Sequence, residues 1–176
     1  MQKIMFNDKY GLTKAVLEGR KTQTRRIAYT GNATNIDCAI CIEQKNFGMA
    51  TLFHGKDEIA HSHYNIGEEV AVAQAYRMTA CKVDYNEKEI KEVVYSTGWK
   101  NKMFVKANLM PYRIRITDIR AERLQEISYD DCLAEGISPS DPNAKAAYAD
   151  LIDHISGKGT WASNPYVFVY EFELVK

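Results

Sequence analysis

The sequence has no long hydrophobic run. Within its 176 residues, no uninterrupted apolar stretch approaches the roughly 18 residues that a membrane-spanning helix needs. The first sixteen residues show no apolar segment typical of a secretory signal, because Asn7, Asp8 and Lys9 interrupt it. Internal repeats and low-complexity segments are also lacking. We therefore expect one domain over residues 1–176, located in the cytoplasm and without a membrane partner.

The chain also lacks a net charge, because 23 Lys and Arg residues balance 23 Asp and Glu residues. A neutral chain gives no indication of a polyanionic partner such as a long nucleic acid. The charges are nevertheless distributed asymmetrically: residues 1–30 are net positive by five, and residues 120–176 are net negative by five. This asymmetry indicates either an anion-binding site or two ends that meet in the fold and neutralise each other.

Cysteine is scarce, and in a cytoplasmic chain we expect all four thiols to be free: Cys38, Cys41, Cys81 and Cys132. The spacing of Cys38 and Cys41 suggests a zinc site as an alternative, with three histidines downstream, His54, His61 and His63. Two features argue against zinc. The segment 36–42 resembles a strand, in which residues three apart face opposite sides, and no second close pair of ligands follows. We predict neither a metal nor a cofactor.

The hydrophobic pattern predicts an α+β domain built on a small, mostly antiparallel barrel. Three helices are expected: one after Asp8 that Gly19 ends, one from a capping box at Ser128 to Gly136, and one opened by Pro142. Residues 80–92 are polar and are expected to form a surface excursion. Strands are expected at 4–6, 36–43, 47–54, 70–76, 93–95, 112–117 and 165–175.

The most informative segment concentrates four cations in seven residues, Arg20, Lys21, Arg25 and Arg26. Cations this close repel one another unless the fold supplies a carboxylate or a bound anion. Like charge also lowers the pKa of a lysine, and a neutral lysine amine can act as a base towards a hydroxyl such as that of Thr24. The alternative is that Lys21 is a solvated surface cation and that Thr24 is a turn residue.

The segment 17–26 reads Leu-Glu-Gly-Arg-Lys-Thr-Gln-Thr-Arg-Arg and resembles the opening of the ASCH family, a branch of the PUA-like barrels. Three later segments are similar to phage and prophage-type members of that family, namely 66–72, 116–137 and 157–172. The resemblance therefore spans nearly the whole chain in the right order. Two variable insertions, near 28–65 and 80–98, lie outside it.

The resemblance implies a PUA-like barrel, a fold used mainly to bind RNA and modified nucleosides. One bacterial branch of the family hydrolyses N4-acetylcytidine to cytidine and acetate with a Lys, a Thr and a Glu, which correspond here to Lys21, Thr24 and Glu135. In that mechanism Lys21 deprotonates Thr24, Thr24 attacks the acetyl carbonyl, and Glu135 orients Lys21 or transfers the proton. The sequence does not identify the oxyanion donors.

A second argument that Glu135 belongs to the site does not depend on the resemblance. It falls in the last turn of a predicted helix, where the helix dipole disfavours a carboxylate by about 0.3–1 kcal/mol. A glutamate at this position therefore indicates a cationic partner such as Lys21. The alternative is a solvated glutamate that happens to end a short helix.

Binding of RNA or of a modified nucleoside or nucleotide is our first prediction, and amide hydrolysis at the same pocket is the second. A binding domain would contact phosphates with its arginines and stack a base on an aromatic ring. The candidate cations are Arg20, Arg25, Arg26, Arg113 and Arg115, and the candidate aromatics are Tyr76, Trp99 and Trp161. Trp161 has the alternative of packing beside Tyr148.

The sequence departs from its phage-type relatives after Gly67. Gln74 and Tyr76 stand where those relatives usually have a Glu and a larger aromatic residue. This departure leaves the identity of the ligand open. A third possibility is a non-catalytic phage accessory protein that works through protein contacts.

Overall fold

The computed structural model describes residues 1–28, 40–44, 48–54 and 56–175, and it describes no side chains at 40–44, 54 and 57. The described residues form eight strands in two sheets. The strands are β1 (Lys3–Ile4), β2 (Gln23–Ile27), β3 (Ile40–Gln44), β4 (Met49–His54), β5 (Asp57–His61), β6 (Glu69–Val72), β7 (Arg113–Arg123) and β8 (Tyr166–Val175).

The larger sheet has five strands in the order β1-β6-β7-β8-β2. Only the short β1–β6 pair is parallel, and the other three pairs are antiparallel. The smaller sheet has the order β3-β4-β5 and is antiparallel throughout. The prediction of a mixed, mostly antiparallel α+β domain is thus confirmed. In the described part of the chain the two sheets are hydrogen-bonded as separate units.

The main core lies between the two sheets. Ala50, Leu52 and Ala60 from the smaller sheet pack with buried side chains of the larger one, including Ile4, Val70, Ile114, Ile116 and Tyr170. A second cluster covers the other side of β8, where Val167 and Val169 pack against the helices that follow β7. The strand β8 is buried on both faces because its Tyr and Phe side chains enter the first cluster and its Val side chains enter the second.

Six α-helices accompany the sheets in the described residues. The longest has 13 residues, and no helix described here could cross a membrane. The helices are α1 (Leu12–Leu17), α2 (Tyr76–Thr79), α3 (Glu87–Val94), α4 (Tyr129–Ala134), α5 (Ala144–Ser156) and α6 (Thr160–Ser163).

The helix termini follow their local signals in most cases. The predicted capping box is present at the start of α4, where the Ser128 side chain accepts a hydrogen bond from the Asp131 backbone and Asp131 accepts one in return. Gly19 follows α1 in a left-handed conformation, as predicted. At α5 the predicted start was off by two positions, because the Asn143 side chain caps the helix, Ala144 is its first residue and Pro142 precedes the cap.

Two strand predictions were wrong. Residues 93–95 end the helix α3, which an Asn86–Glu89 capping box begins inside the segment predicted to be a surface excursion. This helix turns its one buried residue, Val93, towards a small cluster that contains Tyr76. The strand predicted at 70–76 ends at Val72, and Tyr76 begins α2 instead.

Candidate functional site

The candidate site lies where the end of α1, the start of β2 and the end of α4 converge. After α1 the chain folds back, so that the backbone N–H groups of Arg20 and Lys21 both donate to the carbonyl of Ala15. The next N–H, that of Thr22, donates to the carbonyl of Ala134 at the end of α4 (2.9 Å). These bonds fix the segment that carries Lys21 directly against the C-terminus of α4.

Gly136 makes this close approach possible. Its backbone adopts a φ of 97°, which residues with a side chain rarely adopt. A Cβ atom added there would lie 3.4 Å from the Cβ atom of Lys21 and 3.6 Å from that of Ala15. The glycine predicted as a helix stop therefore also allows α4 to pack tightly on the lysine.

Lys21 is buried, and only 2% of its surface is exposed. Its Nζ atom donates hydrogen bonds to the carbonyls of Gln23 (2.7 Å) and Glu135 (2.9 Å) and to the Oε2 atom of Glu135 (2.5 Å). All three N–H groups of an ammonium are therefore engaged. The reading of Lys21 as a solvated surface cation is wrong.

Glu135 bridges two buried cations. Its Oε2 atom accepts from Lys21, and its Oε1 atom accepts from Nη1 of Arg25 at 3.2 Å. The guanidinium of Arg25, which has no exposed side-chain surface, also bonds Glu122 (2.7 Å) and Asp131 (3.0 Å). Glu135 at the end of α4 thus has the cationic partner that we expected, because the helix dipole disfavours an unpaired carboxylate at this position.

Burial governs the ionisation of this cluster. Loss of hydration lowers the pKa of Lys21 below its ordinary value, and the attraction of Glu135 offsets only part of this effect. The nearby charges of Arg26 and Arg25 lower the pKa of Lys21 further, as the crowding of cations in the sequence suggested.

Two hydroxyl groups accompany the lysine. Lys21, Thr24, Glu135 and Tyr148 all line one cavity of about 210 Å³, whose other walls are mainly apolar. Among the described residues, neither the Thr24 hydroxyl nor the Tyr148 hydroxyl makes a hydrogen bond. Burial raises the pKa of Tyr148 well above its ordinary value, and the negative charge of Glu135 raises it further. The cavity therefore offers an unengaged nucleophile, an unengaged neutral donor and a buried ion pair.

The structure separates the five arginines predicted to bind phosphate. Arg20 is exposed and pairs with Glu18 (2.7 Å), while Arg113 and Arg115 pair with Glu69 on the outer surface. None of these three lines the cavity. Arg25 and Arg26 do line it, but the Arg25 guanidinium is fully engaged with carboxylates.

The predicted stacking residues lie elsewhere. Tyr76 is 1% exposed, packs in the cluster around α2 and α3, and accepts a hydrogen bond from the Lys106 backbone through its hydroxyl. Trp99 borders the same cluster. Trp161 packs edge-on against Tyr148 with ring centroids 6.3 Å apart, which confirms the packing alternative for this residue.

Sequence reasoning missed Tyr148 as a member of the site and treated it only as part of the buried face of α5. A signal was available, because a buried tyrosine normally finds a hydrogen-bond partner for its hydroxyl. The zinc alternative falls on Cys38, which lies outside the described residues, and on Cys41, whose side chain is not described. Among the described side chains, no group of three or more potential metal ligands occurs.

No family model matches this chain, and no curated protein matches it either. Among solved structures, it is similar to the crystal structure of protein EF3133 from Enterococcus faecalis V583, which carries the family-model description DUF984. The two chains share 14% sequence identity with a TM-score of 0.46, over 99% of this chain and 80% of the other.

Proposed function

We propose that the cavity binds one small N-acylated ligand of the nucleoside type and hydrolyses its amide bond. The observation that supports this proposal is the cavity itself, which is lined both by Thr24 and by the buried ion pair of Lys21 and Glu135. A surface for binding alone has no need of an ion pair removed from water, whereas a base with a lowered pKa is what acyl transfer requires.

The size of the cavity favours a compact ligand. Sites for drug-sized molecules usually measure about 300–1,000 Å³, and this cavity is smaller, at about 210 Å³. It suits one base with a short acyl group and is too small to hold more than one nucleotide. The exterior pairing of Arg20, Arg113 and Arg115 with carboxylates also argues against a broad phosphate-binding face.

The reaction begins with a proton transfer inside the ion pair. The ammonium of Lys21 passes a proton to Glu135 along their short hydrogen bond, which leaves a neutral amine. That amine then accepts the proton of the Thr24 hydroxyl while the Thr24 oxygen bonds to the carbonyl carbon of the ligand. The carbon–nitrogen bond breaks, and the leaving nitrogen takes the proton back from Lys21.

A water molecule completes the cycle. Lys21 takes a proton from this water while the water oxygen bonds to the carbonyl carbon of the ester formed on Thr24. The ester bond breaks, the Thr24 oxygen takes the proton from Lys21, and the carboxylic acid leaves. The proton held by Glu135 then returns to Lys21, which restores the ion pair. The net change is amide plus water to amine plus carboxylic acid. The hydroxyl of Tyr148 supplies a hydrogen bond to the carbonyl oxygen as negative charge develops there, because its raised pKa keeps it protonated.

The class of ligand comes from the resemblance of the segment 17–26 to the ASCH family. The proposal therefore includes a modified cytidine as the substrate class, a PUA-like barrel and a cytoplasmic setting. The packing of β4 against β7 supports the barrel, because it places the smaller sheet over the larger one as a second wall.

Binding without turnover is a second candidate, and one observation favours it. All three N–H groups of Lys21 are donated to oxygen acceptors, which is the arrangement of an ammonium. In this state the nitrogen has no lone pair for the Thr24 proton. If Glu135 does not accept the proton, the cavity binds a nucleoside and leaves it intact.

Incubation with N4-acetylcytidine separates these two functions. The wild-type protein should release cytidine and acetate, and the variants Lys21→Met and Thr24→Val should lose about 10³-fold or more of that rate. Thr22→Val is the matched control, because Thr22 has an exposed side chain in the same segment, and it should retain the rate. Full activity in Lys21→Met would overturn the mechanism, and calorimetric binding without release would favour the second candidate.

A further inference from the structure

A second cavity adjoins the candidate site. It measures about 460 Å³ and shares three of its lining residues, Met5, Arg26 and Ile27, with the first cavity. The two cavities therefore share a boundary formed by residues at the start of the chain and at the end of β2.

The second cavity is lined by cationic and aromatic residues and by no carboxylate. Its basic members are Lys3, Arg26, His61 and His63. One carboxylate approaches from outside the lining, because Glu58 contacts Nδ1 of His61 at 3.0 Å. The first cavity differs in this respect, because Glu135 lies within its wall.

Arg26 differs from the other arginines near the site. Arg20, Arg25, Arg113 and Arg115 are all ion-paired. Among the described residues, Arg26 makes its one hydrogen bond from Nη2 to the carbonyl of Met5 (2.6 Å) and has no ion pair. Most of its planar donor array is therefore available at the boundary of the two cavities, and such an array matches the oxygens of a phosphate group.

The wall of the second cavity is held rigidly. The hydroxyl of Tyr64 donates to the carbonyl of Lys3 (3.1 Å), and the hydroxyl of Tyr170 accepts from the backbone N–H of His63 (2.8 Å). The two tyrosine rings also contact each other edge to face, with centroids 5.3 Å apart. The imidazole of His63 is thus carried by a fixed backbone, and a site with a fixed frame binds without a large ordering cost.

We propose that the second cavity binds the phosphate group of a free nucleotide whose acylated base occupies the first cavity. Arg26 contacts the phosphate from the boundary, and His63 contributes from the wall. The ammonium of Lys3 is donated to the carbonyls of Met103 and Val105 (2.7 Å each) and adds only its positive charge. This inference rests on the proposed function, since it takes the first cavity as the site of the base. It narrows the substrate class from a nucleoside to its 5′-monophosphate.

The test measures binding, so that it does not depend on turnover. The variant Thr24→Val, which should not turn over the ligand, is titrated by calorimetry with N4-acetylcytidine and with its 5′-monophosphate. The same pair of titrations is made after adding Arg26→Gln or His63→Gln. Arg77→Gln is the matched control, because Arg77 is an exposed arginine on α2 that lines neither cavity.

The monophosphate should bind about tenfold or more tightly than the nucleoside, and Arg26→Gln and His63→Gln should reduce this ratio towards one. Inorganic phosphate should compete with the monophosphate and not with the nucleoside. In Arg77→Gln the ratio should be unchanged.

Four results would overturn the inference. Equal affinities for the nucleoside and its monophosphate would show that no phosphate site exists. If the wild-type protein then still released cytidine, the proposed function would stand without the inference. A ratio that persists in both Arg26→Gln and His63→Gln would place the phosphate elsewhere. A trinucleotide that binds about tenfold more tightly than the monophosphate would identify RNA, and not a free nucleotide, as the source of the phosphate. Absence of binding by any of these ligands, together with absence of turnover, would contradict both proposals.

Discussion

The substitution Glu135→Gln tests the buried charge cluster most directly, because it removes one negative charge and keeps the shape of the side chain. Glu135 accepts hydrogen bonds from two cations that have almost no exposed side-chain surface, Lys21 and Arg25. The amide of Gln can still accept one of these bonds, but its charge no longer balances either cation. The variant therefore holds two buried positive charges with less compensation than the wild type.

The expected cost is large for a single substitution. Breaking a buried ion pair by removing one partner costs about 3–5 kcal/mol of unfolding free energy. For a domain of this size each kcal/mol shifts the melting temperature by about 2–4 °C, so we expect a shift of roughly 6–20 °C. Domains are stable by about 5–15 kcal/mol, which means that the variant should still fold and can be measured.

The pH dependence gives the result a specific signature. Burial holds the pKa of Lys21 below the value of 10.5 that applies to the unfolded chain. Between those two values the unfolded state binds more protons than the native state, so stability rises with pH. Glu135→Gln removes the attraction that raises the pKa of Lys21, which extends this range to lower pH. The difference in stability between wild type and variant should therefore shrink as the pH rises from 7 towards 9.

Urea unfolding followed by circular dichroism at pH 7 and pH 9 measures both effects. Glu173→Gln is the matched control, because Glu173 forms an exposed pair with Arg115 (3.3 Å) whose loss should cost at most about 1 kcal/mol. The double variant Lys21→Met with Glu135→Gln should recover much of the loss, since an apolar replacement needs no charge partner. If Glu135→Gln unfolds at the same urea concentration as Glu173→Gln, the buried pair does not contribute as the geometry requires.

Three further predictions concern the same region. Gly136→Ala should cost about 1–2 kcal/mol in urea unfolding, because its φ of 97° is strained for alanine, and an unchanged midpoint would contradict this strain. Tyr148→Phe should leave stability within about 1 kcal/mol, because the hydroxyl makes no hydrogen bond, but should slow N4-acetylcytidine hydrolysis about 10²-fold. A rate equal to that of the wild type would remove Tyr148 from the mechanism. Burial alone would raise the pKa of Asp131, but the Gln23 hydrogen bond and the charge of Arg25 hold this pKa below 3.8. Because the pKa is lowered in the native state, Asp131 stabilises the protein above pH 3.8, and this stabilisation is lost as the pH falls through the lowered pKa. Urea unfolding at pH 5 and pH 3 should show a smaller loss in Asp131→Asn than in the wild type, and equal losses would refute this assignment.

Local signals predicted the ends of several helices correctly. Gly19 and the Ser128–Asp131 capping box act through bonds to neighbours in the chain, so their effect is visible in a short window of sequence. The helix α3 was missed although its Asn86–Glu89 capping box is a signal of the same kind. Its apolar stripe of Ile90, Val93 and Val94 was divided between the predicted surface excursion at 80–92 and the predicted strand at 93–95, so the helical spacing was not recognised.

The burial of Arg25 could not be predicted from the sequence. An arginine in a polar segment is usually exposed, and its burial requires carboxylates placed around it by the fold. Here those carboxylates come from Glu122, Asp131 and Glu135, which lie about a hundred residues further along the chain. No local pattern links these positions, so only the assembled tertiary structure shows that this cation is internal.

The two explanations of the charge asymmetry apply to different residues of the same segment. Lys21 and Arg25 belong to the positive segment 1–30, and their carboxylate partners all lie within the negative segment 120–176. For these two cations, the oppositely charged ends of the chain therefore meet in the fold. These two cations are therefore neutralised inside the protein and are not available to a polyanion. Arg26 follows Arg25 directly on β2, yet it is exposed and has no carboxylate partner among the described residues. Within the segment 20–26, the anion-binding explanation thus applies to one guanidinium, that of Arg26, at the boundary of two cavities.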